Sequence, residues 1–306
     1  MKKRLTLKSI IIRLILLFVM IVMVAISVLG VMQRTGIELT QLAPTTASQS
    51  MGYVIKNCKG KVIVIDGGVE GDSANLLRYI NEYGGKVDAW YITHPHIDHM
   101  GAFCDIISNN IEFPVSKIYV ALNDKEWYEK YTDDGTINEV KKFFDVIDNE
   151  KIKSKVEQVY IGQTMDFDNL HIEVLSGRNE EITSNSVNNT SMILKMTIND
   201  KSLLFLGDAG IEEGQKVISN LSTEKIKSTY VQMAHHGQSG VSLDFYEKVN
   251  PEYCLWPTPL WLWNNDSGSG ENSGNWKTKE TISYIENLNV KKNFVAKDGN
   301  KTIKIW

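Results

Sequence analysis

The chain has few cysteines and few prolines, and neither residue type determines its fold. Cys58, Cys104 and Cys254 are the three cysteines among 306 residues, and no two of them are close in sequence. Secreted folds that depend on disulfides are rich in paired cysteines, so this set excludes a disulfide scaffold and predicts no bridge. The 6 prolines and 22 glycines are too sparse for a low-complexity chain. We therefore expect a core that is stabilised by burial of apolar side chains.

An excess of positive charge is also lacking. Lysine and arginine number 33 against 37 aspartates and glutamates, which gives a net charge of -4 and a pI near 5.9. Proteins that bind polyanions in general usually carry a basic surface. The composition therefore excludes a general polyanion binder, although a local basic groove stays open.

Long hydrophobic runs are scarce, and the one present lies near the N-terminus at Leu14–Met32. It is close to the roughly 20 residues that span a bilayer as a helix, and longer than the core of a usual signal peptide. Basic residues precede it, so the positive-inside rule predicts a cytoplasmic tail at 1–13, a signal anchor at 14–33 and an extracytoplasmic remainder. The alternative is a signal peptide that is cleaved, with secretion. The preceding basic residues are Lys2, Lys3, Arg4, Lys8 and Arg13.

After the apolar run, the sequence predicts a linker and then one folded domain. Residues 34–50 are polar, rich in Thr and Ser, and include Pro44, which is typical of a tether. From residue 51 to 306, apolar strand-like runs such as "KVIVIDGG" and "KSLLFLGD" alternate with helical patterns such as "SANLLRYINEYGG". Two halves with this alternation predict an α/β sandwich.

Three of the six histidines fall in the stretch "YITHPHIDHMGA". His94 and His96 are two residues apart and point the same way from an extended segment, and Pro95 favours that conformation. Asp98 and His99 follow the turn and can approach from another side. This geometry suits two metal ions, with zinc typical and manganese tolerated by imidazole and carboxylate donors.

Two later clusters supply the ligands that this motif lacks. Asp208 ends the apolar strand "SLLFLGD", where a lone carboxylate would be costly unless it were paired or metal-bound. It can bridge two ions. His235 and His236 end another strand in "QMAHHGQSG", and one of the two can complete the second site.

The segment 256–276 interrupts the alternation with four tryptophans around Gly, Ser and Asn. One interpretation is a surface loop whose tryptophans pack against the domain. The other is a mobile aromatic flap over a site, because long irregular loops are often functional. Trp261 and Trp263 are the candidate substrate contacts of the second interpretation.

The motif "THPHIDHMGA" resembles the signature of the metallo-β-lactamase-fold hydrolases. The order of "VIDGG", "HPHIDH", "NNTSMILKM", "LFLGD" and "HHGQSG" over residues 51–255 is similar to the hydrolase domain of the ComEC-like competence proteins. The resemblance implies a four-layer αβ/βα sandwich with the metal site at one edge of its two sheets. It implies as ligands His94, His96, Asp98, His99, Asp208 and one of His235 and His236, of which His235 is expected.

The chain departs from the wider family where a further histidine ligand would stand. Asn188, Asn189 and Ser191 occupy that place, as in the competence-like branch, and His171 lies too early in the chain to substitute. The first metal is therefore expected to be held by His94, His96 and Asp208 with solvent.

The expected mechanism uses a metal-bridging water that becomes hydroxide; Asp98 is expected to orient this nucleophile and take the proton of the water, which makes Asp98 the catalytic residue. Asp66 is expected to shape the site without ligation. Donors to an anionic substrate group come from the segment after the histidine pair. The candidate substrate-binding residues outside the tryptophan segment are Asn189, Ser191, Gly237, Gln238 and Ser239.

The expected substrate is a phosphodiester, either single-stranded nucleic acid or an envelope polymer such as a phosphocholine ester. Nucleic acid would need a basic groove, and the tryptophans could instead hold a quaternary ammonium. The rival predictions are a non-catalytic envelope-binding protein on the same fold, and a hydrolase of a carboxyl ester or lactam. No obligate protein partner is evident, and the membrane is the expected partner of the N-terminal helix. The lysines proposed for a basic groove are Lys291, Lys292, Lys297, Lys301 and Lys304.

Overall fold

The computed structural model describes residues 7–306, apart from the side chains at positions 29, 31–34 and 134. Its first element is helix α1 (Leu7–Thr35). By length and composition, Leu7–Val28 is apolar enough to cross a membrane, a property that signal sequences share. The predicted anchor at 14–33 lies inside this helix. Of the predicted basic tail, residues 7–13 belong to the helix and residues 1–6 lie outside the described part of the chain.

Within residues 7–306, the strands form two seven-stranded sheets. The first sheet has the order β14-β1-β2-β3-β4-β5-β6, and the second has the order β13-β12-β11-β10-β9-β8-β7. The strands of the first sheet are β1 (Ile37–Gln41), β2 (Gly52–Asn57), β3 (Val62–Asp66), β4 (Ala89–Ile92), β5 (Ile118–Val120), β6 (Val156–Gln158) and β14 (Lys301–Ile305). Those of the second are β7 (Thr164–Phe167), β8 (Leu170–Ser176), β9 (Ile193–Ile198), β10 (Lys201–Phe205), β11 (Tyr230–Gln232), β12 (Tyr253–Trp256) and β13 (Lys292–Val295).

Helices cover the outer face of each sheet. Buried clusters join α2, α3 and α5 to the first sheet and α6, α8 and α10 to the second, while a third cluster fills the space between the sheets. The predicted four-layer αβ/βα sandwich is confirmed. The helices after α1 are α2 (Ser73–Glu82), α3 (Ile97–Asn109), α4 (Lys125–Tyr131), α5 (Asp134–Ile147), α6 (Ile211–Asn220), α7 (Thr223–Ile226), α8 (Leu243–Val249), α9 (Leu260–Trp263) and α10 (Thr278–Glu286).

Strand β3 shows why the sequence folds into layers. Ile63 and Ile65 point into the core between the sheets, whereas Val62 and Val64 pack against the outer helices. Because both faces of such a strand are buried, it is a continuous apolar run and shows no alternation with polar residues.

The predicted linker at 34–50 is wrong. Residues 37–41 form β1, which lies between β2 and β14 in the first sheet. Two polar residues of β1 are buried and paired: Thr40 hydrogen-bonds to Thr302 at 2.9 Å, and the Gln41 amide donates to the Phe294 carbonyl at 3.1 Å. The folded domain therefore begins at Ile37, one residue after α1.

The tryptophan segment is more ordered than a loop. Trp256 is the last residue of β12 and is fully buried. Trp263 ends the short helix α9, and its ring packs edge-on against Trp256 with centroids 5.2 Å apart. The irregular part of the segment therefore follows α9.

Candidate metal centre

The carboxyl ends of four parallel strands meet at one edge of the sandwich. Strands β3 and β4 run parallel in the first sheet, and β10 and β11 run parallel in the second. Asp66 ends β3, His94 follows β4, Asp208 follows β10 and His236 follows β11. Acidic and imidazole side chains from both sheets are thus brought together at this edge.

The turn between β4 and α3 separates the first motif into two groups. His96 is the residue before α3 and has extended backbone (φ -84°, ψ 149°). Asp98 and His99 lie in the first turn of α3 and are buried. The turn therefore directs His94 and His96 to one side of Asp208, and Asp98 and His99 to the other.

One group of donors, which we call the second position, consists of Asp98, His99, Asp208 and His236. Asp208 Oδ1 lies 3.1 Å from His99 Nε2, and Asp98 Oδ2 lies 3.1 Å from His236 Nε2. Asp208 Oδ2 lies 3.5 Å from His236 Nε2. All four side chains are buried, and their donor atoms lie within 4.8 Å of one another.

The other group, the first position, consists of His94, His96 and Asp208. His94 Nε2 lies 3.0 Å from His96 Nδ1 and 3.8 Å from Asp208 Oδ2. His94 and Asp208 are buried, whereas His96 is partly exposed. Asp208 belongs to both groups, so it stands where the sequence predicts a bridging carboxylate.

The structure places His236 in the second position, and the expectation that His235 is the ligand is not supported by its geometry. Both residues have left-handed backbone, at φ 50° and φ 52°. His236 Nδ1 donates to the Pro257 carbonyl at 3.0 Å, which leaves the Nε2 lone pair free for a metal. His235 Nε2 lies 3.8 Å from Asp208 Oδ2 but joins neither donor group.

Asp66 hydrogen-bonds to a donor of the second position but is not itself one of the donors. Its Oδ2 accepts from His99 Nδ1 at 2.7 Å and from the Thr93 hydroxyl at 2.7 Å, and its Oδ1 accepts from the Thr93 backbone N–H at 2.7 Å. A carboxylate that accepts the second ring N–H of a histidine fixes its tautomer and orientation. Thr93 was not singled out by the sequence, because its role follows only from the fold.

Gln49 is a further residue that the sequence did not indicate. Its amide donates to Asp98 Oδ2 at 2.8 Å, and its carbonyl oxygen accepts from the Gln238 amide at 2.8 Å. Gln238, a predicted substrate donor, thus acts within the protein by holding Gln49. Gln49 lies in the segment predicted as a linker, so the sequence offered no reason to select it.

Asn189 and Ser191, predicted to contact substrate, lie behind the donors instead. Both are fully buried. The side-chain oxygen Oδ1 of Asn189 accepts from the Gly210 N–H at 3.0 Å, which fixes the turn after Asp208. The Ser191 hydroxyl accepts from the Asp208 N–H at 3.0 Å and lies 3.4 Å from His94 Nδ1. These residues position the donors and do not face a substrate.

The sequence matches the family model described as Metallo-beta-lactamase superfamily over residues 45–256. The chain belongs to the metallo-beta-lactamase superfamily. None of the curated proteins compared with it matches. A solved structure of the metallo-beta-lactamase fold protein YhfI from Bacillus subtilis is similar, with a TM-score of 0.53, 12% identity and coverage of 88% of this chain and 100% of that one. CmlA, a diiron beta-hydroxylase from Streptomyces venezuelae, has a TM-score of 0.52, 11% identity and coverage of 89% and 54%.

Both solved structures share little sequence with this superfamily member, so they show its fold alone. Proteins of the superfamily are usually metal-dependent hydrolases, and the fold typically binds two divalent ions. The chemistry of this chain has to be argued from its own residues.

The electrostatics of this metallo-beta-lactamase site favour cations at the second position. Burial opposes protonation of His99, but Asp208 and Asp66 outweigh it and raise its pKa well above the usual range. At His236, Asp208 and Asp98 likewise outweigh burial and raise the pKa to about 9. The pocket thus attracts positive charge.

At the first position the pKa values of the two histidines are lowered. Burial, followed by the neighbouring His99, lowers the pKa of His94 well below its usual value. Burial also lowers the pKa of His96. Neutral imidazoles have a free lone pair for a metal, so this pair is ready to coordinate.

The donor set fits divalent metals. Among the described side chains, no lysine or arginine forms an ion pair with Asp98 or Asp208, although both carboxylates are buried. Buried carboxylates need a cation or strong hydrogen bonds. Imidazole and carboxylate donors at these distances suit zinc and related ions, which supports a metal centre shared through Asp208.

Two surfaces adjoin the metal positions. A polar cavity of about 160 Å³ lies beside His96 and is also lined by Tyr131, Asp133, Thr136 and Asn185. On the other side, the tryptophan segment is tied to the histidine turn, since the Lys277 N–H donates to the Gln238 carbonyl at 3.0 Å and the Thr258 hydroxyl donates to the His236 carbonyl at 2.6 Å.

The remaining predicted substrate residues have mixed positions. Gly237 has φ 76° and lies against the Trp256 ring, so a side chain there would collide with that ring. Ser239 is exposed. Trp261 packs edge-on against Trp276 with centroids 4.9 Å apart, and its indole nitrogen is buried without a hydrogen-bond partner. A substrate role for Ser239, Trp261 and Trp263 stays a prediction.

The lysines predicted to form a basic groove are divided between the two ends of the sandwich. Lys292 begins β13, and Lys304 pairs in register with Glu38 near the start of β1, so both lie at the end opposite the metal positions. Lys291 pairs with Glu252 at 2.8 Å at that same end. The predicted groove therefore does not exist as a continuous surface beside the site.

Proposed function

We propose that this protein is a membrane-anchored phosphodiesterase with a dinuclear metal centre. The observation that carries the proposal is the position of Asp208 between two donor groups, which would place two cations side by side. Paired ions of this kind suit in-line displacement at phosphorus, because they serve both the attacking and the leaving oxygen. The order of motifs, which resembles that of the ComEC-like competence proteins, supports a phosphodiester substrate.

Each donor has a role in this proposal. His94, His96 and Asp208 would hold the first ion, and Asp98, His99, Asp208 and His236 would hold the second. When bound, two divalent ions, zinc or manganese, would lower the pKa of a water toward neutrality and offset charge on a phosphoryl oxygen.

Asp98 is the proposed catalytic carboxylate. Its pKa lies well below the usual range because the hydrogen bond from His236 and the proximity of His99 outweigh burial, so it is ionised at neutral pH. Gln49 holds Oδ2 at 2.8 Å and thereby fixes the carboxylate plane. An ionised, oriented carboxylate can align the attacking water.

The surroundings favour a small leaving group over a polynucleotide. The cavity beside His96 is small, at about 160 Å³. Asp133, an exposed acid on its wall, disfavours a polyanion and suits a hydroxylated or cationic alcohol. We therefore favour an envelope phosphodiester over single-stranded nucleic acid.

The N-terminal helix completes the proposal. We propose that Leu7–Val28 anchors the protein as a single-pass segment, with the N-terminus in the cytoplasm and the metal centre outside, because the basic residues precede the span. Cleavage of the same helix as a signal sequence would give a secreted enzyme with the same site.

The test is hydrolysis of bis(p-nitrophenyl) phosphate by the purified full-length protein in detergent. The protein is assayed as isolated, after chelation, and after addition of Zn²⁺ or Mn²⁺. We expect turnover that chelation abolishes, that the metal restores, and that His96→Ala removes. His171→Ala is the matched control, because His171 is exposed and pairs with Asp166 away from the site.

A folded protein that binds two metal ions but does not hydrolyse the phosphodiester would refute the proposal. Turnover of carboxyl esters or lactams by that preparation would replace it with the corresponding hydrolase. A folded protein that binds no metal would favour a non-catalytic envelope-binding role.

A further inference from the structure

The strand directions place the metal positions and helix α1 at opposite ends of the sandwich. The chain leaves α1 at Thr35 and enters β1 at Ile37, with only Gly36 between them. Strand β1 starts beside the end of β2 and runs antiparallel to it, and β3 then returns toward Asp66. The start of β1 therefore lies at the end of the sheet farthest from Asp66.

Two turns of the second sheet contact the end of α1. The side-chain amides of Asn169, in the β7–β8 turn, and Asn199, in the β9–β10 turn, donate to the Thr35 carbonyl, the latter at 3.3 Å. Carbonyls in the last turn of a helix lack partners within the helix, so these amides satisfy one of them. In the first sheet, the Asn57 amide donates to the Phe167 carbonyl at 2.9 Å and joins the β2–β3 turn to the same region.

We call this end of the sandwich the basal surface, which consists of residues 56–61, 168–169, 199–201 and 304–306. Lys59 is exposed at its edge. A cavity of about 350 Å³ lies beside the junction of α1 and β1, and Lys56, Lys304 and Trp306 contribute to its lining. Lysine is attracted to anionic lipid headgroups, and tryptophan is enriched at the membrane interface.

Helix and strand dimensions set the distance between the bilayer and the metals. The apolar span has 22 residues and is about 33 Å long, close to the roughly 30 Å of a hydrocarbon core. From residue 29 to residue 35 the helix adds about 10 Å. A six-residue strand such as β2 then adds about 20 Å between the basal surface and the opposite end.

We infer that the basal surface contacts the headgroups of the bilayer that holds α1, and that the metal centre is held about 30 Å from the hydrocarbon, away from that bilayer. The inference rests on the proposed anchor and deepens the proposed function. The contacts of Asn169 and Asn199 with the Thr35 carbonyl hold the domain in this orientation against the end of α1, so the phosphodiesters of the host lipids are out of reach. The substrate is then a phosphodiester that extends from the envelope or diffuses in solution.

Two exposed positions at opposite ends provide a matched test. Lys59 lies on the basal surface, and Ser48 lies next to Gln49 at the metal end. Full-length Lys59→Cys and Ser48→Cys are each made in a Cys58→Ser background, since Cys104 and Cys254 are buried. Each is labelled with a fluorophore and reconstituted in nanodiscs of phosphatidylcholine and phosphatidylglycerol that contain a lipid with a spin-labelled headgroup.

We expect the label at position 59 to be quenched several-fold more strongly than the label at position 48. Equal quenching at the two positions, stronger quenching at position 48, or no quenching at position 59 would each overturn the inference.

The same nanodiscs separate this inference from the proposed function. Quenching needs no catalysis, whereas hydrolysis of added bis(p-nitrophenyl) phosphate reports the proposed activity. We expect that soluble phosphodiester to be cleaved while no headgroup is released from the host lipids. Release of host headgroups at a comparable rate would overturn the inference and leave the phosphodiesterase proposal intact.

Discussion

The two metal positions share Asp208 but differ in donors, burial and support. The second position has four buried donors, and the carboxylate of Asp66 holds one of them at 2.7 Å. The first position has three, and its His96 is partly exposed. Its outer contacts are two neutral hydroxyls, those of Thr93 and Ser191, which lie 3.1 and 3.4 Å from His94 Nδ1. From this difference we expect the second position to retain a metal tightly and the first to exchange it more readily.

The largest expected effect comes from the residue that both positions share. Asp208→Asn keeps the size of the side chain but removes the charge that both ions would need. We expect loss of both metals and a fall in phosphodiesterase activity of roughly 10³-fold or more, because the several kcal/mol of charge stabilisation that metals supply correspond to that factor. Elemental analysis after gel filtration and the hydrolysis assay measure the two effects.

Asp200→Asn is the control for this variant, because Asp200 is exposed and pairs with Lys201 at 3.0 Å. Retention of two metal ions by Asp208→Asn would show that the positions are independent and that no carboxylate bridges them.

Removing one histidine from each position tests the asymmetry directly. We expect His96→Ala to retain one metal ion per chain, because it leaves the four buried donors of the second position intact. We expect His236→Ala to lose the tightly held ion. Metal stoichiometry is measured after dialysis against a weak chelator, with His171→Ala as the control. Equal loss from both variants would remove the distinction between a tight and an open position.

The motifs "HPHIDH" and "SLLFLGD" predicted five of the six donors, because these residues stand close after the ends of apolar strands that the sequence shows. The choice between His235 and His236 could not be made from sequence, since it depends on two successive left-handed residues and on the Pro257 carbonyl from another strand.

Other features could not be predicted from the sequence, for a similar physical reason. Gln49 and strand β1 are polar in composition, and their burial becomes visible only when β14, from the far end of the chain, pairs with β1. The layered fold, by contrast, was predictable, because strands such as β3 are apolar on both faces.

Replacing the outer partner of His99 should weaken the second position more than the first, which Asp66 reaches only through Thr93. In Asp66→Asn, an amide N–H would face His99 Nδ1, which would move the imidazole proton to Nε2 and block the metal-facing nitrogen. Asparagine tolerates the left-handed backbone of this position (φ 54°), so the fold should persist. We expect metal affinity at the second position to fall about 10- to 100-fold, as measured by competition with a chelator. Unchanged affinity would mean that Asp66 has no influence on the donor.

The smallest expected effect concerns the support of the first position. Glu213 is fully buried, accepts from Ser176 at 2.6 Å and from Asn179 at 2.8 Å, and donates its backbone N–H to Asn189, two residues before Ser191. Burial raises its pKa well above the usual value.

Between the unfolded pKa near 4.3 and the raised folded pKa, the folded protein binds the extra proton, so stability falls as pH rises, by up to about 1.4 kcal/mol per pH unit. Glu213→Gln cannot ionise and should flatten this dependence. Urea unfolding of both proteins between pH 5 and pH 8 measures it, and metal stoichiometry should stay unchanged at pH 5. Parallel pH profiles would show that Glu213 is already ionised in the fold, and that the loop supporting His94 depends on a buried charge.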